Sequence, residues 1–234
     1  MQSPISDSLQ HVYAILKKKA ESLAVGSSRL SLSAELTQEI CSLFYSSTRS
    51  PSISDLNALI SNVRALRINP DHCPSSILPS VYLGPFHNLT YLEVRHVDIY
   101  NVIHLSKLRS QLKHLVLVSC INSLDDLLWR CGGDKCSDSF IWAELNTLHV
   151  TCCDCLQLDN GLQLTPWLKI LDLSFNALSD HSISSLDTIF SINQLILNFN
   201  RLLRVPTLAV NARSSLKILH LRHNQLESLK GICF

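Results

Sequence analysis

What this 234-residue sequence lacks narrows its function before anything it contains. No apolar run approaches the roughly 18 residues that a membrane span needs, and residues 1–10 lack the charged-then-apolar order of a signal peptide. The expected compartment is therefore the cytoplasm. Charge of one sign is missing too. Twenty basic and 19 acidic residues leave a formal charge of +1, so there is no general electrostatic pull toward nucleic acid or an anionic membrane. Catalytic signatures are also absent. There is no G-x-S-x-G, Walker-type loop or G-x-G-x-x-G, and none of the ten histidines falls in an H-E-x-x-H spacing. The nine cysteines, an odd number, show no framework spacing. Those at Cys131, Cys136, Cys152, Cys153 and Cys155 are not spaced as a zinc knuckle and read as small buried hydrophobes of a reducing compartment. Neither a cofactor nor a metal is expected, and the reading is of a protein that is not an enzyme.

What is present is hydrophobic residue in quantity, 46% against 17% charged with a mean hydropathy of +0.17, which requires a large core and argues against disorder. That hydrophobicity is periodic. Three copies of L-x-x-L-x-L-x-x-N-x-L occur at Leu168 to Leu178, Ile192 to Leu202 and Leu216 to Leu226, 24 residues apart. In each, the second and third apolar residues lie two apart, on one face of a short strand, while the residue between them faces the other way. The asparagine at a fixed slot (Asn176, Asn200, Asn224) has a side-chain amide able to satisfy turn backbone that would otherwise be orphaned. Degenerate copies precede these. Leu145, Leu148, Val150 and Leu112, Leu115, Leu117 carry Cys153 and Cys120 at the asparagine slot, Leu89, Leu92, Val94 come before them, and Val63, Leu66, Ile68 form a weaker first copy. Seven repeats are expected in all.

The fold class that follows is α/β: a leucine-rich-repeat solenoid, a curved parallel β-ladder, with an N-terminal helical cap. The cap is placed at 1–55, from helical patterns over Asp7–Leu23 and Leu36–Phe44, with the serine-rich stretch Tyr45–Ser54 as a joint. The solenoid takes 56–234. The repeat beginning at Leu112 is 33 residues long, so it carries an insertion near 121–142, with a short helix over Ser123–Arg130 ended by Gly132-Gly133. After Leu226 the pattern leads toward a further repeat, and the expectation is of a chain truncated at its C-terminus.

Alternation along the strands assigns one set of side chains to the open, concave face. The protein-binding candidates on it are Arg67, Tyr91, Glu93, Arg95, His114, His149, Asp172, Ile196, His220 and Arg222, with Tyr91, Arg95 and Arg222 as anchors, because aromatic and arginine side chains dominate interface energetics. The bland alternative for each is an ordinary solvated position.

Several runs carry a resemblance: Ser110 to Leu115, Leu124 to Leu128, Cys131-Gly-Gly-Asp-Lys-Cys136, Trp142 to Leu145, and Leu171 to Leu178. Together they resemble the N-terminal repeat region of the liver-kinase-B-interacting proteins, cytoplasmic leucine-rich-repeat scaffolds in which a long C-terminal part follows the repeats. The likeness extends loosely from Leu9 to Leu229, and the C-G-G-D-x-C insertion is its most distinctive part. It implies a non-catalytic scaffold or adaptor with a protein partner, a serine/threonine kinase. It carries over no binding residue one by one. A regulatory subunit of a kinase or phosphatase, and a cytoskeletal or ciliary repeat protein, remain open alternatives at this point.

Overall fold

A computed structural model describes residues 6–45, 51–70, 80–137, 140–153 and 156–230. The chain starts with helix α1 (Asp7–Lys18). Ser6 caps it by accepting from the Leu9 amide at 3.2 Å, and Asp7 and Lys17/Lys18 match its dipole at either end. Its buried stripe is Leu9, Val12 and Leu16. Helix α2 (Ala20–Val25) stops at Gly26, whose φ of 84° is the left-handed C-cap glycine adopts at least cost. A strand not expected from the sequence follows, β1 (Leu30–Ser33), and its last residue caps α3 (Ala34–Phe44) through the Leu36 amide. Residues 46–50, half of the expected joint, lie outside the described residues. From Pro51 onward that stretch is helical, the first turn of α4 (Pro51–Ser61), where proline's missing N–H costs nothing.

The remaining strands are β2 (Ala65–Asn69), β3 (Val81–Tyr82), β4 (Tyr91–Arg95), β5 (Val102–Ile103), β6 (His114–Val118), β7 (Thr147–Thr151), β8 (Ile170–Asp172), β9 (Gln194–Ile196) and β10 (Ile218–His220). Strands β3 and β5 form a small parallel pair, and the other eight make one parallel sheet in the order β1-β2-β4-β6-β7-β8-β9-β10. This mixed α/β arrangement, with each repeat's strand beside the next, is compatible with a repeat solenoid. Register aligns the repeat leucines. Leu66, Leu92, Leu115, Leu148, Leu171 and Leu195 stand in one row and are fully buried, and Leu219, at the end of that row, is half-buried. Each fully buried leucine contributes about 1.5–3 kcal/mol relative to exposure, so the row is a main source of cohesion.

The asparagine slot does what its chemistry requires. Asn200 Nδ2 donates to the carbonyls of Leu173 and Leu197, both at 3.0 Å, while its Oδ1 accepts from the amides of Asn176 (3.2 Å) and Leu178 (2.9 Å). Asn176 likewise accepts from Cys153 N and donates to Val150 O, both at 2.7 Å, so each asparagine ties its repeat to the one before. Cys120 and Cys153 do less of this: the Cys120 thiol donates to the carbonyls of Val94 (3.2 Å) and Val118 (3.1 Å), and that of Cys153 only to Thr151 O, at 3.5 Å. One residue before each slot the backbone is left-handed, at Ser119, Cys152, Phe175, Phe199 and His223, with φ between 55° and 61°.

The insertion holds α5 (Leu124–Leu128), capped by Ser123. Its C-G-G-D motif is a structural clasp. The Asp134 carboxylate accepts from the amides of His104 (2.5 Å) and Ser106 (2.7 Å). Gly132, at φ 58°, sits so close to the Ile99 carbonyl that a Cβ would clash with it, and Cys131 is buried, which pushes its thiol pKa up to about 12. Trp142, fully buried, closes the segment by donating from Nε1 to Leu128 O at 2.9 Å.

Candidate protein-binding face

One side of the eight-stranded sheet packs on the core, and on the other the between-leucine side chains line up by register. The central row reads Ser31, Arg67, Glu93, Val116, His149, Asp172, Ile196, His220. Flanking it on one side are Tyr91, His114, Thr147, Ile170, Gln194 and Ile218, and on the other Asn69, Arg95, Val118 and Thr151. Nine of the ten sequence candidates thus fall on adjacent strands. Arg222 does not: β10 ends at His220, and Arg222 is exposed in the turn beyond it, its amide donating to Asn198 Oδ1.

Glu93 corrects the sequence reading more deeply. Expected as an exposed contact, it is 1% exposed and sits beneath three arginines. Arg95 Nε donates to Oε1 at 2.6 Å, and Arg29 Nη1 donates to Oε2 at 3.2 Å. Arg67 Nε lies 2.9 Å from Oε2, close enough for ion pairing but without the alignment of a hydrogen bond. The Tyr91 hydroxyl donates to Oε2 at 3.1 Å, and the Arg29 guanidinium covers the Tyr91 ring at 4.2 Å from its centroid. Burial raises the Glu93 pKa, but the Arg95 hydrogen bond and the close charges of Arg67 and Arg95 outweigh it and hold the carboxyl below its usual range. Burial, and then the Glu93 charge, raise the Tyr91 pKa. So Arg67, Tyr91, Glu93 and Arg95 do form one cluster, with the carboxylate as its buried hub.

Farther along, His149 Nδ1 stands 3.6 Å from Asp172 Oδ2, and Asp172 Oδ1 accepts from Ser174 through its amide and its hydroxyl. Burial, followed by the neighbouring His149, depresses the His114 pKa, which favours the neutral ring. Ile196 is half-buried and His220 exposed near the last strand. Among the described residues no group of three or more His, Cys, Asp or Glu side chains is placed to hold a metal, and no helix is long and apolar enough to cross a membrane.

Two features escaped the sequence reading. Arg29 lies in the segment assigned to the cap. The second is an exposed aromatic stack: Phe175 on Phe199 with ring centroids 4.2 Å apart, and Phe199 on His223 at the same distance. A signal for it existed, an aromatic residue immediately before the slot asparagine in three consecutive repeats. With Cys152, Ala177 and Arg201 these rings line an open depression on the turn side.

No family model matches the chain. It is similar to the serine/threonine-protein kinase 11-interacting protein of Gallus gallus, 36% identical over 162 residues, which is 69% of this chain and 15% of that protein. The Homo sapiens protein of that name is 33% identical over 152 residues, 65% of this chain and 14% of the relative. The Mus musculus one is 35% identical over 112 residues, 47% and 10%. These relatives are named as interacting proteins, not as enzymes, and the chain matches no more than 15% of their length. Over about two thirds of its own length, then, this chain is homologous to a small part of the serine/threonine-protein kinase 11-interacting proteins.

Proposed function

We propose that this chain is a leucine-rich-repeat solenoid acting as a non-catalytic, cytoplasmic adaptor that holds a serine/threonine kinase along the open face of its sheet. The observation that carries this reading is the face itself. Seven adjacent parallel strands, β2 to β10 of the main sheet, present arginine, aromatic, histidine and aliphatic side chains in register on one side, while the leucines of the other side make the core. A mixed surface of this composition suits protein recognition, and the relatives' name supplies the kind of partner. The repeat spacing and the asparagine ties support the solenoid part of the reading.

The test is co-purification of the chain with purified serine/threonine-protein kinase 11. It compares wild type with a variant carrying His114→Ala, Ile196→Ala and His220→Ala, whose folding is checked by circular dichroism. Kinase retained by wild type and lost by the variant is the expected result. Equal retention would place the contact off this face, and no retention would reject the kinase reading. Kinase turnover unchanged by saturating chain is expected of an adaptor; altered turnover would make it a regulator.

A further inference from the structure

We propose that the arginines gathered on Glu93 form a docking point for a phosphorylated serine or threonine of a partner segment lying across β1, β2 and β4. This rests on the protein-binding reading above and names the chemistry of what is bound. Three guanidinium groups face one carboxylate, an excess of two positive charges at a single place in a chain whose net charge is +1. Among the described residues, other charge on the face is distant. Asp172 is three strands from Glu93, roughly 14 Å at the usual strand spacing and beyond the Debye length at physiological salt. His114, the nearest histidine of the face, has its charged form disfavoured by burial.

Glu93 also does something that a solvated arginine patch does not. It holds three long side chains in place, with Tyr91 bracing both the carboxylate and Arg29, so much of the ordering entropy of binding is already spent. Arg67 and Arg95 meet Glu93 through Nε, and among the described residues no hydrogen bond occupies the Nη groups of either. The three arginine side chains are 48%, 35% and 43% exposed for Arg29, Arg67 and Arg95. Guanidinium forks of this kind match phosphate oxygens bidentately, and a phosphomonoester brings about −1.5 to −2 charge at neutral pH, where a single carboxylate would bring half of what is needed. Beside the cluster, Val116 and Val118 offer aliphatic contacts for residues flanking the phosphate. That setting, in the middle of a sheet face, fits a peptide better than a lipid headgroup.

The experiment uses the full chain on peptide arrays with random flanks and a fixed central serine, phosphoserine or glutamate. It is run for wild type, Arg29→Gln, Arg95→Gln and the control Arg213→Gln, an exposed arginine outside the candidate face, each checked for folding. Signal on the phosphoserine array about tenfold above serine and glutamate, reduced about tenfold by either cluster variant and unchanged in the control, is expected from losing one charge-assisted bidentate contact. Equal signal on all three arrays would overturn the phosphate inference and leave the protein-binding reading standing. Phosphate-dependent signal indifferent to Arg29→Gln and Arg95→Gln would overturn the location. Silence on every array, or capture by phosphoinositide vesicles alone, would overturn the inference, with the adaptor reading then judged by the kinase co-purification.

Discussion

Replacing Asn200 by alanine removes a side chain that serves two repeats at once. Its Oδ1 is the acceptor for the amides of Asn176 and Leu178, and its Nδ2 is a donor to the carbonyls of Leu173 and Leu197. Asn200 is 5% exposed, so water reaches the site poorly. Carbonyls, with two lone pairs, tolerate the loss better than amides do, so the cost falls mainly on two stranded N–H groups. At about 1–3 kcal/mol for each, partly relieved by relaxation, Asn200→Ala should destabilise the chain by about 3 kcal/mol. For a protein of this size that lowers the melting temperature by roughly 6–12 °C. Cys153→Ala at the equivalent slot is the internal comparison. It loses one weak thiol donor, 3.5 Å from Thr151 O, and should cost about 1 kcal/mol. Urea denaturation followed by circular dichroism measures both. Hydrogen exchange should show accelerated opening at the amides of Asn176 and Leu178, because an array of repeats opens locally. If Asn200→Ala costs no more than Cys153→Ala, or if protection falls evenly along the chain, the account of the asparagine as a tie between repeats is wrong.

Three further outcomes are expected. Burial, together with a shared hydrogen bond to Asp159, lifts the Asp125 pKa from 3.8 to about 6, so the folded state holds this proton more tightly than the unfolded one. Stability from this group is present below about pH 4 and lost as pH rises through about 6; Asp125→Asn should flatten that slope, by on the order of 1 kcal/mol after allowance for solvent screening, in melts taken across the window. Glu93 has the opposite sign: its lowered pKa contributes stability above its usual 4.5 that is lost as pH falls, and a Glu93→Gln chain that still shows the full acid-side loss would contradict the ion-pair hub. Gly132→Ala should cost about 3 kcal/mol, from the positive φ and the clash with Ile99 O, and should loosen residues 99–108 in hydrogen exchange; a wild-type melting temperature would refute the clasp.

The strand-turn repeat was legible because its two causes are local: apolar residues two apart define a half-buried strand, and an asparagine at a fixed offset marks the turn. The same local logic exposed the short helix within Ser123–Arg130 and the sides on which Arg67, Tyr91 and His114 fall. β1 was not legible. Leu30-Ser-Leu-Ser33 is too short to show a period, has no slot asparagine after it, and lies between two helices, so only its pairing with β2 makes it a strand. Alternation likewise set Glu93 on the open face, yet burial was decided by arginines 64, 26 and 2 residues away in sequence, one of them in a segment read as cap. The aromatic stack was half visible, since its spacing is in the sequence while the left-handed backbone that turns each ring onto the next belongs to the folded turn. Sequence periodicity by itself determined which residues share a strand face, because a side chain's side follows from its own backbone. Which of them meet, and whether a charge ends up solvated or enclosed, depended on the tertiary structure, because parallel register alone brings distant strands to 4.8 Å spacing and within reach of one carboxylate.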